Sequence, residues 1–263
     1  MTTLVPGPAP ARPMVILTAV SLAFLALAVL WAGVDARMIE GSYVWEKPLK
    51  FAVSFAVLFA TMALAEPCFS PSWRNGRMFA AIAAVMAASM LLEMIYMIFQ
   101  AAQMQTSHFN TGTPFTAVMY ALMGVGAVCL VTGVGLMGWA AFRDKAASFG
   151  PGLRAGVGWG FVLSFSLTMI TAGTMSSLSG HYIGTPAPGA AVIPLMGWSA
   201  SVGDLRPAHF VSLHAMQVLP LLGWWVDRRA KTAGLVKWAA VVYAAIALAL
   251  FGQALMGLPV IGL

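Results

Sequence analysis

The sequence predicts an all-α integral membrane protein, a bundle of seven transmembrane helices. Only 8% of the 263 residues are charged and 60% are hydrophobic, where a soluble domain carries about 25% charged residues. Seven apolar runs are each long enough to cross a bilayer as a helix, which takes about 20 residues. None alternates as a membrane-spanning strand does, so a closed barrel is excluded. The same composition excludes a disulfide-stapled secreted scaffold, a disordered chain and an ordinary cytosolic enzyme. The formal net charge of +6 is scattered between apolar segments. It reads as a topology signal, not as a nucleic-acid-binding face.

In chain order, residues 1–13 form an expected flexible tail containing Pro6, Pro8, Pro10 and Pro13. Residues 14–263 form a single transmembrane domain, with spans near 14–34, 48–65, 78–102, 114–142, 153–177, 207–226 and 237–257. Span one is too long for the apolar region of a signal peptide, and only Arg12 precedes it. The loops after spans two, four and six hold nine cations: Arg74, Arg77, Arg143, Lys145, Arg154, Arg228, Arg229, Lys231 and Lys237. The loops after spans one, three and five hold four: Arg37, Lys47, Lys50 and Arg206. With Arg12 counted on the minority side, this gives the N-terminus outside and the C-terminus in the cytoplasm. Gly152, Gly156 and Gly160 make a small-xxx-small row on span five, a signal for close helix approach. Trp139, Trp159, Trp224, Trp225 and Trp238 lie near inner span ends as an aromatic belt. The 18 methionines read as adaptable core filler. Cys68 and Cys129 are too far apart in the predicted topology for a disulfide and lack metal-type spacing.

Polar residues collect on the outer side. All four histidines fall there: His108 and His181 in loops, His209 at the start of span six and His214 about one turn deeper. Glu93 is the acid well inside a span, about 10 Å below that helix's outer end, and it shares a face with Tyr96, Gln100 and Gln103. Lys47, Lys50, Ser54 and Thr61 share a face of span two; Ser164, Thr168, Thr171 and Thr174 share one of span five; His214 and Gln217 lie three apart on span six. Four such stripes are expected to line one interior cavity, because a polar group facing lipid is costly. An acid there needs a partner: Lys50, His214 or a bound cation, with a Glu93–Lys50 pin between spans as the purely structural alternative. The loop of roughly 30 residues before span six is long enough to be a lid or binding element. Within it Asp204 is the expected N-cap of span six, and Arg206 its local ion-pair partner.

His209 and His214 are five residues apart, hence about 140° apart on an ideal helix, and are not expected to chelate one ion together. The leading expectation is a membrane-embedded metal-dependent protein, redox or hydrolytic, with a His/Glu/Lys site near the extracytoplasmic surface. His214, His108, His181 and His209 form its metal-ligand pool for a Zn, Fe or Cu ion, with heme b less favoured because span six alone holds histidine in its interior. Glu93 is then a proton carrier or ligand, Lys50 an electrostatic stabiliser, and Tyr96, Gln100 and Gln217 cofactor-binding groups. The alternative is a transporter, receptor or small-molecule-binding membrane protein that uses Glu93 and Lys50 without a metal. Expected partners are the lipid bilayer and a small-molecule substrate or ligand, with no nucleic acid.

Three strings support a resemblance: Lys47-Pro48-Leu49-Lys50-Phe51-Ala52-Val53-Ser54, then Ser107-His108-Phe109-Asn110, then Gly203-Asp204-Leu205-Arg206 running on to His209-Phe210, Leu213-His214-Ala215 and Gln217. Together with Glu93 and Gln100 they resemble an uncharacterised group of bacterial multi-span membrane proteins over spans two to six. That resemblance implies a bacterial, inner-membrane setting and no activity. Microbial rhodopsins fit less well, since span seven has only Lys237 at its edge where they need a deep retinal lysine. Ceramidase-type zinc hydrolases are similar in helix number and histidine content, but their His-x-x-x-His pair is absent here.

Overall fold

Proline sets where several helices begin. Pro13, Pro71, Pro114, Pro151 and Pro207 each occupy one of the first two positions of a helix, where the missing N–H would lack an intrahelical partner anyway. Ahead of Pro114, Thr113 and Thr116 exchange side-chain and backbone hydrogen bonds in a capping box. The computed structural model describes residues 12–39, 41–194, 196–229 and 231–262. The expected tail lies outside them as far as residue 11.

The elements are α1 (Pro13–Ala32), β1 (Met38–Ile39), β2 (Ser42–Tyr43), α2 (Glu46–Ala65), a 3-10 turn (Glu66–Cys68), α3 (Pro71–Arg74), α4 (Arg77–Ala102), α5 (Pro114–Arg143) and α6 (Pro151–Ser177). After these come β3 (Tyr182–Ile183), β4 (Val192–Ile193), β5 (Trp198–Ser199), β6 (Gly203–Asp204), α7 (Arg206–Arg228) and α8 (Gly234–Leu255). The strands are two-residue antiparallel pairs, β1–β2, β3–β6 and β4–β5, so the fold is all-α. Among the described residues six helices are long and apolar enough to cross a membrane: Pro13–Ala32, Glu46–Cys68, Arg77–Ala102, Pro114–Arg143, Pro151–Ser177 and Gly234–Leu255. The expected sixth span is α7, also a long helix but outside that set. Its two histidines, Gln217, Asp227 and terminal arginines dilute its apolar content. Neither Cys68 nor Cys129 forms a disulfide among the described residues.

The chain divides into two compact units, residues 1–110 and 111–263, where the sequence suggested one domain. In the first, α1, α2 and α4 pack together. Arg12 donates from its guanidinium to the Ala63 carbonyl at the end of α2, 3.1 Å away. Glu66 is buried just beyond, with Arg12 and Arg74 as the charges acting on it and the Met14 N–H as a donor. The start of α1 therefore lies at the same end of this unit as the basic segment after α2. Arg12, expected on the side opposite the basic segment after α2, lies beside it within this unit. Counted with the segments after the expected spans two, four and six, Arg12 brings their cations to ten, against four in the other loops. At the opposite end Asp35 accepts from Trp31 and Arg37. These donors hold its carboxyl well below the usual carboxylate range, while Arg37 also donates to the Ala102 carbonyl that ends α4.

In the second unit α6 is central, packed on α5, α7 and α8. A Cβ added at Gly152 would lie 2.6 Å from the Gly223 carbonyl oxygen and one at Gly160 2.7 Å from that of Ala215, while one at Gly156 would overlap the Leu219 carbonyl. The small-residue row is thus the seam on which α7 lies, backbone against backbone. Asp227, near the end of α7, accepts from the Gly152 and Leu153 N–H groups at 2.7 and 2.8 Å. It thereby caps α6, whose own N-cap, Gly150, has no side chain. Arg154 in turn donates to the Ala141, Asp144 and Ala147 carbonyls at the end of α5.

Candidate functional site

In the first unit the buried face of α4 carries Glu93, Tyr96 and Gln100, at 2%, 4% and 2% exposure. They recur every three or four residues, so one helical face presents all three. The cation whose charge acts on Glu93 is Lys47, and Glu93 Oε2 is buried with no hydrogen-bond partner. Lys50 stands elsewhere: its ammonium meets Glu46 at 3.4 Å across one turn of α2, its side chain more than half exposed. The sequence contained that signal, since a Glu followed four residues later by Lys is a ready helical pair. Lys47 is the site residue that sequence reasoning ranked too low.

Gln100 donates to the Thr106 carbonyl at 3.2 Å and so fixes the turn after α4. That turn carries His108, whose Nδ1 lies 3.1 Å from the Ser107 hydroxyl and whose ring packs on Phe51 at 5.4 Å between centroids. Burial, and then the Lys47 ammonium, press the imidazole from its ordinary value of 6.5 down to about 3. Lys47 thus links the α2 start, Glu93 and His108. The α2 hydroxyls do not join them. Ser54 and Thr61 donate to their own i−4 carbonyls, of Lys50 and Val57, at 2.9 and 2.7 Å, and Ser54 is exposed. Ser54, expected on a cavity wall, lies at the helix surface instead, its hydroxyl bonded back along α2.

The depressed His108 value has a measurable consequence. Between pH 6.5 and about 3 the unfolded chain binds a proton that the folded imidazole refuses. Its contribution to stability is complete above 6.5 and is lost as pH falls through that window. His108→Asn should flatten that part of the curve of melting temperature against pH. Curves for variant and wild type that run parallel from pH 7 to 4 would count against this.

In the second unit Ser164, Thr168 and Thr171 of the α6 stripe are buried, while Thr174 is not and donates back to the Ile170 carbonyl at 2.9 Å. Ser164 donates to the Leu213 carbonyl at 3.0 Å, and Thr171 Oγ1 lies 3.1 Å from His209 Nδ1. Thr168 Oγ1 is buried without a partner. One turn further along α7, His214 Nδ1 meets Gln217 Oε1 at 3.1 Å and its ring lies on Phe210 at 4.2 Å. His181 packs on the Tyr182 ring at 4.1 Å, and its carbonyl accepts from the Leu205 N–H. Asp204 is not the N-cap of α7; Leu205 is, and Asp204 Oδ1 accepts from the Arg206 N–H. The expected local ion pair of Arg206 with Asp204 is present at 2.6 Å.

The candidate residues thus fall into two groups: Glu93, Tyr96, Gln100, Lys50 and His108 in the first unit, and His181, His209, His214 and Gln217 in the second. Among the described residues no three His, Cys, Asp or Glu side chains gather closely enough to hold a metal ion. Comparison with family models, with curated proteins and with solved structures finds no match for the chain.

Proposed function

We propose that this chain is a multi-span membrane protein that binds a small cationic or hydrogen-bond-donating solute at Glu93, as a carrier or receptor for it. One observation supports this above all: Glu93 is 2% exposed, midway along an apolar helix, and its Oε2 has no hydrogen-bond partner among the described residues. An acid in hydrocarbon costs several kcal/mol unless paired or neutralised. A purely structural pin would close both of its oxygens, whereas Glu93 keeps one for a ligand.

The test is thermal unfolding of the purified protein against a panel of organic amines and metal cations. At least one class should raise the melting temperature of the wild type and leave Glu93→Gln unshifted. A pin gives the reverse, a destabilised Glu93→Gln and no response to the panel. Elemental analysis and an absorption spectrum of the same sample test the expectation of a Zn, Fe or Cu ion or heme b on the histidines. Stoichiometric metal or a heme band, lost in His214→Ala, would replace the present proposal.

In this reading α1, α2, α4, α5, α6, α7 and α8 all cross the membrane, with the polar stripe of α7 shielded by α6 and α8. The end with ten cations is cytoplasmic, which places the N-terminus inside and the C-terminus outside. A bacterial inner membrane is the setting that the resemblance implies. In a cysteine-free background, Ala146→Cys should then be labelled only from the cytoplasm and Thr185→Cys only from outside.

A further inference from the structure

Six methionines of the first unit are almost completely buried: Met14, Met62, Met86, Met90 and Met94 at 0% exposure and Met97 at 1%. Four of them lie on α4 at successive offsets of four, four and three. At about 100° per residue they and Glu93 fall in one strip about 100° wide, which climbs about 16 Å from Met86 to Met97. The Ser21 hydroxyl donates to Met90 Sδ at 3.2 Å, so the strip faces α1. Met14 lies two turns before Ser21 on the same buried face of α1. The Arg12–Ala63 bond brings the start of α1 level with the end of α2, near Met62.

Packing alone does not select this residue. Leucine fills similar volume and loses less rotamer freedom when it is ordered, so a row of fully buried methionines is the more costly filler. What methionine adds is a neutral, polarisable thioether, a soft donor that selects Cu(I) among biological metal ions. Thioethers leave the charge of a monovalent ion uncompensated. The strip contains one carboxylate, Glu93, with an oxygen to spare, so one ion and one carboxylate sum to zero charge inside hydrocarbon.

We propose that Met86, Met90, Glu93, Met94 and Met97 bind a soft monovalent cation, Cu(I), as a ladder of thioether sites along α4. This rests on the reading of Glu93 as a ligand-binding carboxylate and names its ligand class. Lys47 opposes the ion, because its ammonium already acts on Glu93.

Silver(I), which has the same ligand preference and no accessible redox change, is the probe. The background carries Cys68→Ser and Cys129→Ser, so that no thiol competes. Equilibrium dialysis with elemental analysis should find about one silver per chain in that background. Met90→Leu/Met94→Leu should weaken binding at least tenfold with a melting temperature in the absence of silver close to the parent's, because the exchange conserves volume. Glu93→Gln should weaken binding as well, and Lys47→Gln should tighten it several-fold. No silver bound by the parent, or equal binding by the double leucine variant, overturns the proposal. If amines stabilise the protein through Glu93 while silver does not bind, the ladder falls and the Glu93 site stands.

Discussion

Gly156→Leu should dismantle the second unit. The absent Cβ of Gly156 lies against the Leu219 carbonyl and next to Pro220, with Gly152 and Gly160 in the same relation to Gly223 and Ala215 on either side. Between helices in a bilayer there is no hydrophobic drive, since lipid tails are as apolar as leucine. Association rests on close backbone packing and interhelical hydrogen bonds. A leucine here would push α7 away from α6 and take with it the Ser164–Leu213 and Thr171–His209 hydrogen bonds. The expected loss is about 3 kcal/mol or more, at the upper end for overpacking. It should be read as a collapsed yield of monodisperse protein and a lower melting temperature. Gly173→Leu, on the same helix where an added Cβ meets nothing within 4 Å, should behave as wild type. A Gly156→Leu protein with wild-type yield and melting temperature would show that the seam does not hold α7.

How much of this was legible in the sequence varies with the length scale of the cause. Helix limits were legible to within about three residues, because apolar runs and first-turn prolines are local signals. The close seam was legible from Gly152, Gly156 and Gly160, though its partner, α7, was not. The place of Arg12 beside the end of α2 was not legible, because a charge tally by loops says nothing of which carbonyl a guanidinium meets. Lys50 was preferred over Lys47 because helical faces say which residues share a side, not which of two lysines finds a local acid first. Each histidine has a nearby partner (Ser107, Tyr182, Thr171 and Gln217 in turn), and a residue list cannot show such contacts. The burial of Glu93, by contrast, was legible from its place midway along an apolar helix, where an acid facing lipid is costly.

Arg206→Gln should release the long loop before α7 while leaving the helices folded. The Arg206 side chain grips both oxygens of Asp204 at 2.6–3.1 Å, donates to the Gly197 carbonyl at 2.7 Å and the Tyr182 hydroxyl at 3.1 Å, and stacks over the Tyr182 ring. One guanidinium thus joins β3, β6 and the turn before β5. Asp204 has a side chain 1% exposed and also accepts from the Ser199 N–H at 2.8 Å. Removing Arg206 leaves that carboxylate buried without its counter-charge, which costs about 3–5 kcal/mol in comparable cases. The cost falls on a loop whose strands are only two residues long, so it should appear as local opening, not global unfolding. Limited proteolysis between residues 178 and 205 should become fast in Arg206→Gln while the far-ultraviolet helical signal stays unchanged. Arg206→Lys should rescue poorly, since an ammonium cannot make the forked contact with Asp204 and still reach Gly197. Arg206→Gln/Asp204→Asn should recover much of the protection, because the penalty lies in the unpaired charge and not in the missing bond. Wild-type protease resistance in Arg206→Gln would place this pair among surface ion pairs of little worth. The link onward is through Trp198, which meets the Phe210 ring edge-on at 5.6 Å, and Phe210, which covers His214. Opening the loop in Arg206→Gln should therefore also loosen the cover over His214, which carbethoxylation of that imidazole would detect as a faster reaction than in the wild type.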